Sequence, residues 1–417
     1  MRILWLGHNL AYPPKGGPLQ RNYNLLKEAA KHHEVHALVF DQPASRPSGV
    51  TPEHCVEALS KFCASVDWVP LPTDSFGIGR YWRAIGGLLT GVPYEFRWLR
   101  SREMANRLQQ LAGRFRFDVV HADTLGLAPY VSLVPSAGTV LNHHDIESAL
   151  VQRRAAAEQS LLWRMFWTRE AANLLAAERQ WCPLFHVNMV VSDDEGQLLK
   201  PSCPGSHIRV VPNGVDVRYF TPRPDPGGTR LLFCGRLDQL ANKGAIAFFF
   251  NSIWPQLSSQ VKEIEIDVVG KNPPAWLREL SQTDPRVHVP GFVDDVRPYF
   301  KKATIFVCPI TDGGGTRLKI LDALAMGMPI VSTTFAASGL ALRDGAHLLI
   351  ADTPETIIEQ IIRLLGDTAL RQRLSQEAVD VVGQTYSWDT IGHSLVAAYE
   401  VAVARRMEGP RNFPSAD

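Results

Sequence analysis

The stretch Thr311–Thr333 reads TDGGGTRLKILDALAMGMPIVST, and the fold turns on how it is read. Three consecutive glycines, Gly313, Gly314 and Gly315, can bury no side chain, and they run into an apolar repeat at helical spacing, Leu318, Leu321, Leu324 and Ala325. Gly327 and Pro329 stop the repeat, and Ile330-Val331-Ser332 behind them reads as a buried strand. A glycine loop therefore opens a helix. Unpaired backbone N–H groups and the helix dipole at such a start both favour an anion, and Arg317 and Lys319 add positive charge beside them. Lys319 and Asp322, three apart, share another face of the helix. Taken alone, the same residues also fit a tight turn with a surface ion pair.

The chain opens on the same plan. Ile3 to Leu6 is a short apolar run ended by Gly7, and a loop with Pro13, Pro14, Gly16 and Gly17 precedes a helix expected from about Arg21 to Lys31. The glycines are not spaced as G-x-G-x-x-G, and Asp41 lies too near the loop for a ribose-binding acid, so a dinucleotide site is poorly supported. Apolar runs at Val35–Phe40, Trp68–Leu71, Val119–His121 and Thr139–Leu141 alternate with helical segments, which argues for a parallel sheet covered on both faces. The later half repeats the alternation. Strands are expected at Val187–Ser192, Arg230–Cys234, Ile264–Gly270, Val287–Val289 and Ile305–Cys308, a helix at Ala245–Ile253, and an Asn213-Gly214 turn with positive φ after Val210-Val211. The fold class is α/β with two Rossmann-like halves, 1–205 and 206–387, divided near Pro201, Pro204 and Gly205. A last helix, 388–408, and a tail, 409–417, follow.

Composition narrows the class. In 417 residues, 43 Lys and Arg face 42 Asp and Glu, a balance that gives no general attraction to nucleic acid and no sign of disorder. Six cysteines are scattered without metal spacing or a pairing pattern, which suits a reducing cytoplasm. MRILWLGHNL is too short for a signal sequence, and no run reaches the roughly 18 apolar residues of a membrane span. The expectation is a cytoplasmic protein. Two segments nevertheless mix arginine with aromatics, 80–102 and 161–167, the latter with Trp163, Arg164, Phe166 and Trp167. Such mixtures suit a lipid headgroup layer, which makes both candidate peripheral membrane contacts at the inner face; a helix packed in a cleft with solvated arginines is the alternative.

In order and spacing, Gly16-Gly17, VVPNGVD at Val210–Asp216, GRL with KG downstream at Gly235–Gly244, GFVDD at Gly291–Asp295 and the GGGTRLKILDALAMGMPIVST stretch resemble the GT-B glycosyltransferases. The likeness is to the large retaining family, glycosyltransferase family 4-like or group 1, and to its members with a GGGTRLK motif. It covers nearly the whole chain. The resemblance implies two facing Rossmann-like domains, a nucleotide-sugar donor (UDP- or GDP-linked) held mainly by the second, a glycan, lipid-linked or small-molecule acceptor held by the first, and a C-terminal helix crossing back to the first. It implies retention of anomeric configuration, a place in bacterial polysaccharide or glycoconjugate synthesis, no cofactor and no metal.

Donors placed where a departing diphosphate gains charge accelerate transfer. Arg236 and Lys243 match the family's cationic pair, although their separation is a residue longer than usual. Gly17 would approach the diphosphate through its N–H. Asp322 takes the place of the second acid of the family's E-x-x-x-x-x-x-x-E motif, the ribose ligand; the first falls at Gly314, which has no side chain. Backbone amides of Gly314, Gly315 and Thr316 would then meet sugar or phosphate, and Phe292 and Val293 occupy the nucleobase position. His144, in NHHDIES, matches the family's histidine near the reacting sugar, with Asp145 and Glu147 as candidates to fix its ring and His143 as its rival. No acid pair suggests a double displacement. The other readings are a UDP-sugar epimerase of the same fold and a non-catalytic nucleotide-binding or partner subunit, which the loss of the acid at Gly314 would favour.

Overall fold

The computed structural model describes residues 1–14, 16–43, 46, 49–71, 90–314, 316–407 and 413–414. Gly315 and the 80–89 part of the first aromatic-basic segment lie outside the described residues. Two compact units emerge, Met1–Pro212 with Ile391–Asp417, and Asn213–Thr390.

The first unit is built on β1 (Arg2–Gly7), β2 (Glu34–Asp41), β3 (Ser65–Pro70), β4 (Val119–Ala122), β5 (Gly138–Asn142), β6 (Val187–Val190) and β7 (Ile208–Val210). They form one sheet in the order β3-β2-β1-β4-β5-β6-β7, with every neighbouring pair parallel. Ile3, Leu4, Trp5 and Leu6 are successive and all buried, as a strand covered on both faces requires. Helix α1 (Gly17–Ala30) starts about four residues before the expected Arg21, because Pro18 presets the first helical turn and Gly16, at φ +104°, takes the cap position. Helices α2 (Glu147–Ala157) and α3 (Leu161–Trp181) form a hairpin joined by three residues.

The second unit holds β8 (Arg230–Cys234), β9 (Glu265–Val269), β10 (Val287–Gly291), β11 (Ile305–Cys308), β12 (Ile330–Ser332) and β13 (Leu349–Ile350), again parallel, in the order β10-β9-β8-β11-β12-β13. The edge strand β7 ends at Val210, overlapping the strand expected at Val210-Val211, whereas β13, two residues long, is too short for periodicity to reveal. Helix α4 (Leu240–Phe248) begins five residues before the expected Ala245, so the Asp238–Asn242 segment is partly helical, and it runs on through a wide turn at Phe249–Ile253. Helix α5 (Leu318–Ala325) starts after the glycine loop with Arg317 at its cap, two residues later than a start at Thr316.

Gly214 also departs from expectation. Its φ lies outside the left-handed region, and what it provides is space: a Cβ there would sit 2.8 Å from the Trp388 ring. Helix α6 (Trp388–Arg406) contributes the buried Tyr399 to the first unit, where its hydroxyl meets His121 Nδ1 at 3.0 Å. Among the described residues no helix is long and apolar enough to cross a membrane.

In each sheet the chain builds outward from a central strand and then returns to its other side, between β1 and β4 in the first unit and between β8 and β11 in the second. Open parallel sheets bind ligands beyond the strand carboxyl ends at this reversal, where the flanking loops part. Those ends carry His8 and Asp123 in one unit, Gly235 and the 309–317 loop in the other.

Candidate functional site

The reversal in the second unit gathers polar groups around Gly235. With φ +151° and a would-be Cβ only 2.5 Å from Lys319 Nζ, a side chain here would strain the backbone and push the lysine aside. Lys319 reaches back over the sheet end, donates to Asn242 Oδ1 at 2.6 Å and lies 4.6 Å from the Phe233 ring centroid. Asn242 in turn donates to the Arg236 carbonyl at 2.7 Å, so one buried amide ties α4 to both the β8 loop and α5. Burial pulls the Lys319 ammonium below its ordinary value. Asp322, one turn further, does not pair with Lys319; its Oδ1 is buried without a hydrogen-bond partner, and burial, opposed by Lys319, raises its carboxyl to about 8. The surface ion pair is thus replaced by a lysine braced on Asn242 and an acid with an unused acceptor. An unfilled buried acceptor needs a donor, and a ligand hydroxyl is one.

Around this centre the glycine loop is held by its own neighbours. Arg317 turns back to donate to the Gly314 carbonyl and lies 5.3 Å from the Phe335 ring centroid, and Thr316 Oγ1 accepts from Asn213 at 2.7 Å. Ile320 N is spent on the Arg317 carbonyl at 2.9 Å. Arg236 is exposed and forked onto Asp238, with Nε and Nη2 at 3.2 and 3.1 Å; that hydrogen-bonded pairing lowers the Asp238 carboxyl to about 2. Its guanidinium has to leave Asp238 to meet a phosphate. Lys243 is exposed on the first turn of α4. Phe292, 58% exposed, follows β10 on the loop after Gly291, with Val293 packed partly into the core.

The first unit's reversal holds a different constellation. The fully buried Asp123 carboxylate accepts from four side chains: His8 Nδ1 at 2.6 Å, Asn22 at 2.6 Å, Asn142 at 3.2 Å and His144 Nε2 at 3.0 Å. Burial alone would raise its pKa; His144 and His8 outweigh that and hold it well below the usual carboxylate range. Asn9 lies 2.8 Å from His8 Nε2, and with its amide donating, Nδ1 of His8 carries the proton toward Asp123. Burial disfavours the His8 cation, and the Asp123 charge and hydrogen bond more than restore it, whereas burial wins at His144 and lowers its pKa. Burial thus favours the neutral form of the His144 ring. With Nε2–H donated to Asp123, its Nδ1 is left as an acceptor.

Behind these groups Arg21, fully buried, donates to Asn142 Oδ1 and the Pro212 carbonyl, both at 2.9 Å, and burial lowers it to about 10. His121 stacks on Trp5 at 3.8 Å, and burial lowers it to about 3.

His144 Nε2 thus donates to Asp123, where Asp145 and Glu147 were the expected partners. Glu147 instead hydrogen-bonds Glu95, and burial, then Glu95, raise its pKa well above the ordinary value. His143, the rival, is a core residue, buried beside Asn188 Oδ1 at 3.2 Å and lowered by burial to about 4. The ligand-type atoms of His8, Asp123 and His144 lie within 4.8 Å of one another, a spacing that could hold a metal ion. In this arrangement one nitrogen of each ring, His8 Nδ1 and His144 Nε2, is spent on Asp123.

Two parallel-sheet Rossmann-like units with these strand orders make up the GT-B class of fold, and solved GT-B structures superpose on the whole chain. Sucrose-phosphate synthase from Thermosynechococcus elongatus matches with TM-score 0.70 at 15% identity, over 97% of this chain and 100% of that one. Anabaena Alr3699/HepE, solved in complex with UDP, matches with TM-score 0.66 at 14% identity over 96% and 100%. Residues 15–219 match the family described as Glycosyltransferase Family 4 and residues 228–367 the one described as Glycosyl transferases group 1. A phosphatidyl-myo-inositol mannosyltransferase of Mycobacterium leprae is 25% identical over 206 residues, 47% of this chain and 54% of that protein; the chain spans about half the length of the curated relatives it matches.

Proposed function

We propose that this protein transfers a sugar from a UDP- or GDP-sugar to a glycan, lipid-linked or small-molecule acceptor, with retention of configuration, in cytoplasmic polysaccharide or glycoconjugate synthesis. The observation that carries the proposal is the unfilled Oδ1 of Asp322 beside Lys319 and Gly235, at the sheet reversal where a nucleotide's ribose and diphosphate would be bound. In this reading Asp322 accepts from ribose hydroxyls, Phe292 and Val293 flank the base, and Arg236, Lys243 and the backbone at Gly314, Gly315 and Thr316 neutralise charge growing on the leaving diphosphate. Gly16 and Gly17 open α1 with no side chain to keep an anion from its N-terminus. His144, oriented by Asp123, accepts a hydrogen bond from a sugar or acceptor hydroxyl through Nδ1.

Turnover of a panel of UDP- and GDP-sugars with glycan and lipid-linked acceptors, with the anomeric configuration of the product read by NMR, tests this. Basic side chains take the role of a divalent ion, so full activity in chelator is the expected outcome; activity lost in chelator and restored by manganese or magnesium would contradict it. A second reading, a non-catalytic nucleotide-binding subunit, is favoured by one observation: Gly314 stands where the family carries an acid. Tight UDP or GDP binding without turnover across the whole panel would establish it.

A further inference from the structure

The first nine residues of α3, Leu161–Arg169, are not packed as a surface helix is. Leu161, Leu162, Trp163, Arg164 and Met165 are successive and all exposed, Leu162 at 80% and Met165 at 63%. Full burial begins only at Glu170 and continues through Ala171, Leu174, Ala177 and Trp181. Five successive residues point to every side of a helix, so no side of this turn is buried in a core. At 1.5 Å per residue the five exposed residues span about 7 Å of helix. The turn is preformed. Phe166 meets Trp163 and Trp167 edge-on at 5.8 and 4.8 Å, and the Arg154 guanidinium from the end of α2 lies 3.8 Å from the Trp167 ring centroid.

Charge surrounds the apolar tip. Arg153, Arg154, Arg164 and Arg169 are exposed, and the one acid between 151 and 169 is Glu158, which leaves four positive charges against one negative. We propose that the tip of the α2–α3 hairpin docks the protein on a bilayer that displays anionic lipid headgroups. Leu161, Leu162 and Met165 enter the acyl boundary, Trp163 sits at headgroup level and the arginines meet lipid phosphates. The charge pattern selects this occupant over a second copy of the chain, because a two-fold contact between tips would set four arginines against four. The proposal is independent of the transferase reading and stands whether or not sugar is moved.

Co-sedimentation of the 417-residue chain with sucrose-loaded vesicles tests it. The protein should pellet with phosphatidylcholine vesicles containing phosphatidylglycerol, stay in the supernatant with phosphatidylcholine alone, and be released by high salt. Leu162→Asp and Met165→Asp should each weaken the partition by at least about tenfold, as expected for one apolar side chain kept from entering lipid. Arg153→Glu with Arg164→Glu should cost about fivefold per arginine lost and abolish the phosphatidylglycerol dependence. Exposed positions leave the thermal midpoint unchanged; should an aspartate variant melt lower, Leu162→Ser repeats the measurement. Wild-type protein that ignores both vesicles, or variants that pellet as wild type does, would overturn the proposal. So would sedimentation velocity showing a dimer that Leu162→Asp dissolves, which would assign the tip to a second copy.

Discussion

Asp322 gives nucleotide binding a pH signature that can be worked out in advance. Burial raises its carboxyl to about 8, so at pH 7 about one molecule in eleven carries the ionised form. Ribose hydroxyls that donate to Oδ1 favour the carboxylate, and binding must first remove the proton, at a cost of about 1.4 kcal/mol at pH 7. The bound state holds one proton fewer than the free state, so affinity rises with pH. It should climb nearly tenfold per pH unit below about 8 and level off above it. A UDP- or GDP-sugar is the suitable probe, since its diphosphate diester has no group that titrates near neutrality. Calorimetry in buffers of differing protonation enthalpy should register release of about 0.9 proton at pH 7, and Asp322→Asn should remove both the release and the pH slope. Binding of wild-type protein with no proton release and a flat profile between about pH 6 and 8.5 would refute the reasoning.

Gly235→Ala drives a Cβ to within 2.5 Å of Lys319 Nζ at φ +151°; nucleotide affinity should fall at least about tenfold and stability by about 1–3 kcal/mol, read by calorimetry and urea titration. Asp123→Ala strands the amides of Asn22 and Asn142, both essentially unexposed, at about 1–3 kcal/mol each, so a urea midpoint shift worth about 2–6 kcal/mol is expected. A loss below about 1 kcal/mol would mean that the network does not hold the strand ends. His121, lowered to about 3 by burial, charges in the unfolded chain at about 6.5 and in the folded chain only near 3, so its contribution is present above pH 6.5 and lost as pH falls toward 3. The loss amounts to as much as about 5 kcal/mol, and His121→Phe, which keeps the stack on Trp5, should flatten that acid slope in denaturant titrations.

The sheets and their parallel sense were legible because their signals are local. A short apolar run, a glycine loop and a helical repeat recur within about thirty residues each time, and Arg230–Cys234, Ile305–Cys308 and Ile330–Ser332 fall where the pattern puts them. The glycine loop before α5 was legible for the same reason, whereas the Lys319–Asp322 pair suggested by their spacing is not made, because Lys319 turns to Asn242. The partners of His144 were not. His8 and Asp123 are 115 residues apart and meet only because β1 and β4 become neighbours at the sheet reversal, a pairing that no periodicity encodes. Asn22 and Asn142 were missed likewise, although each stands on a strand end or first helix where polar residues interrupt apolar runs. Asn242 offered one signal, an amide in the turn before Lys243-Gly244, and its role depends on Lys319, 77 residues on. The demand at Gly214 came from Trp388, far along the chain, and so read as turn chemistry in the sequence.

The most direct test of the account is a crystal structure of the protein soaked with a UDP- or GDP-sugar. The expected result is ribose hydroxyls on Asp322 Oδ1 and a diphosphate against the backbone at Gly314, Gly315 and Thr316, with Arg236 released from Asp238 toward it. A nucleotide bound elsewhere, with Asp322 Oδ1 still unfilled and Arg236 still forked onto Asp238, would contradict it.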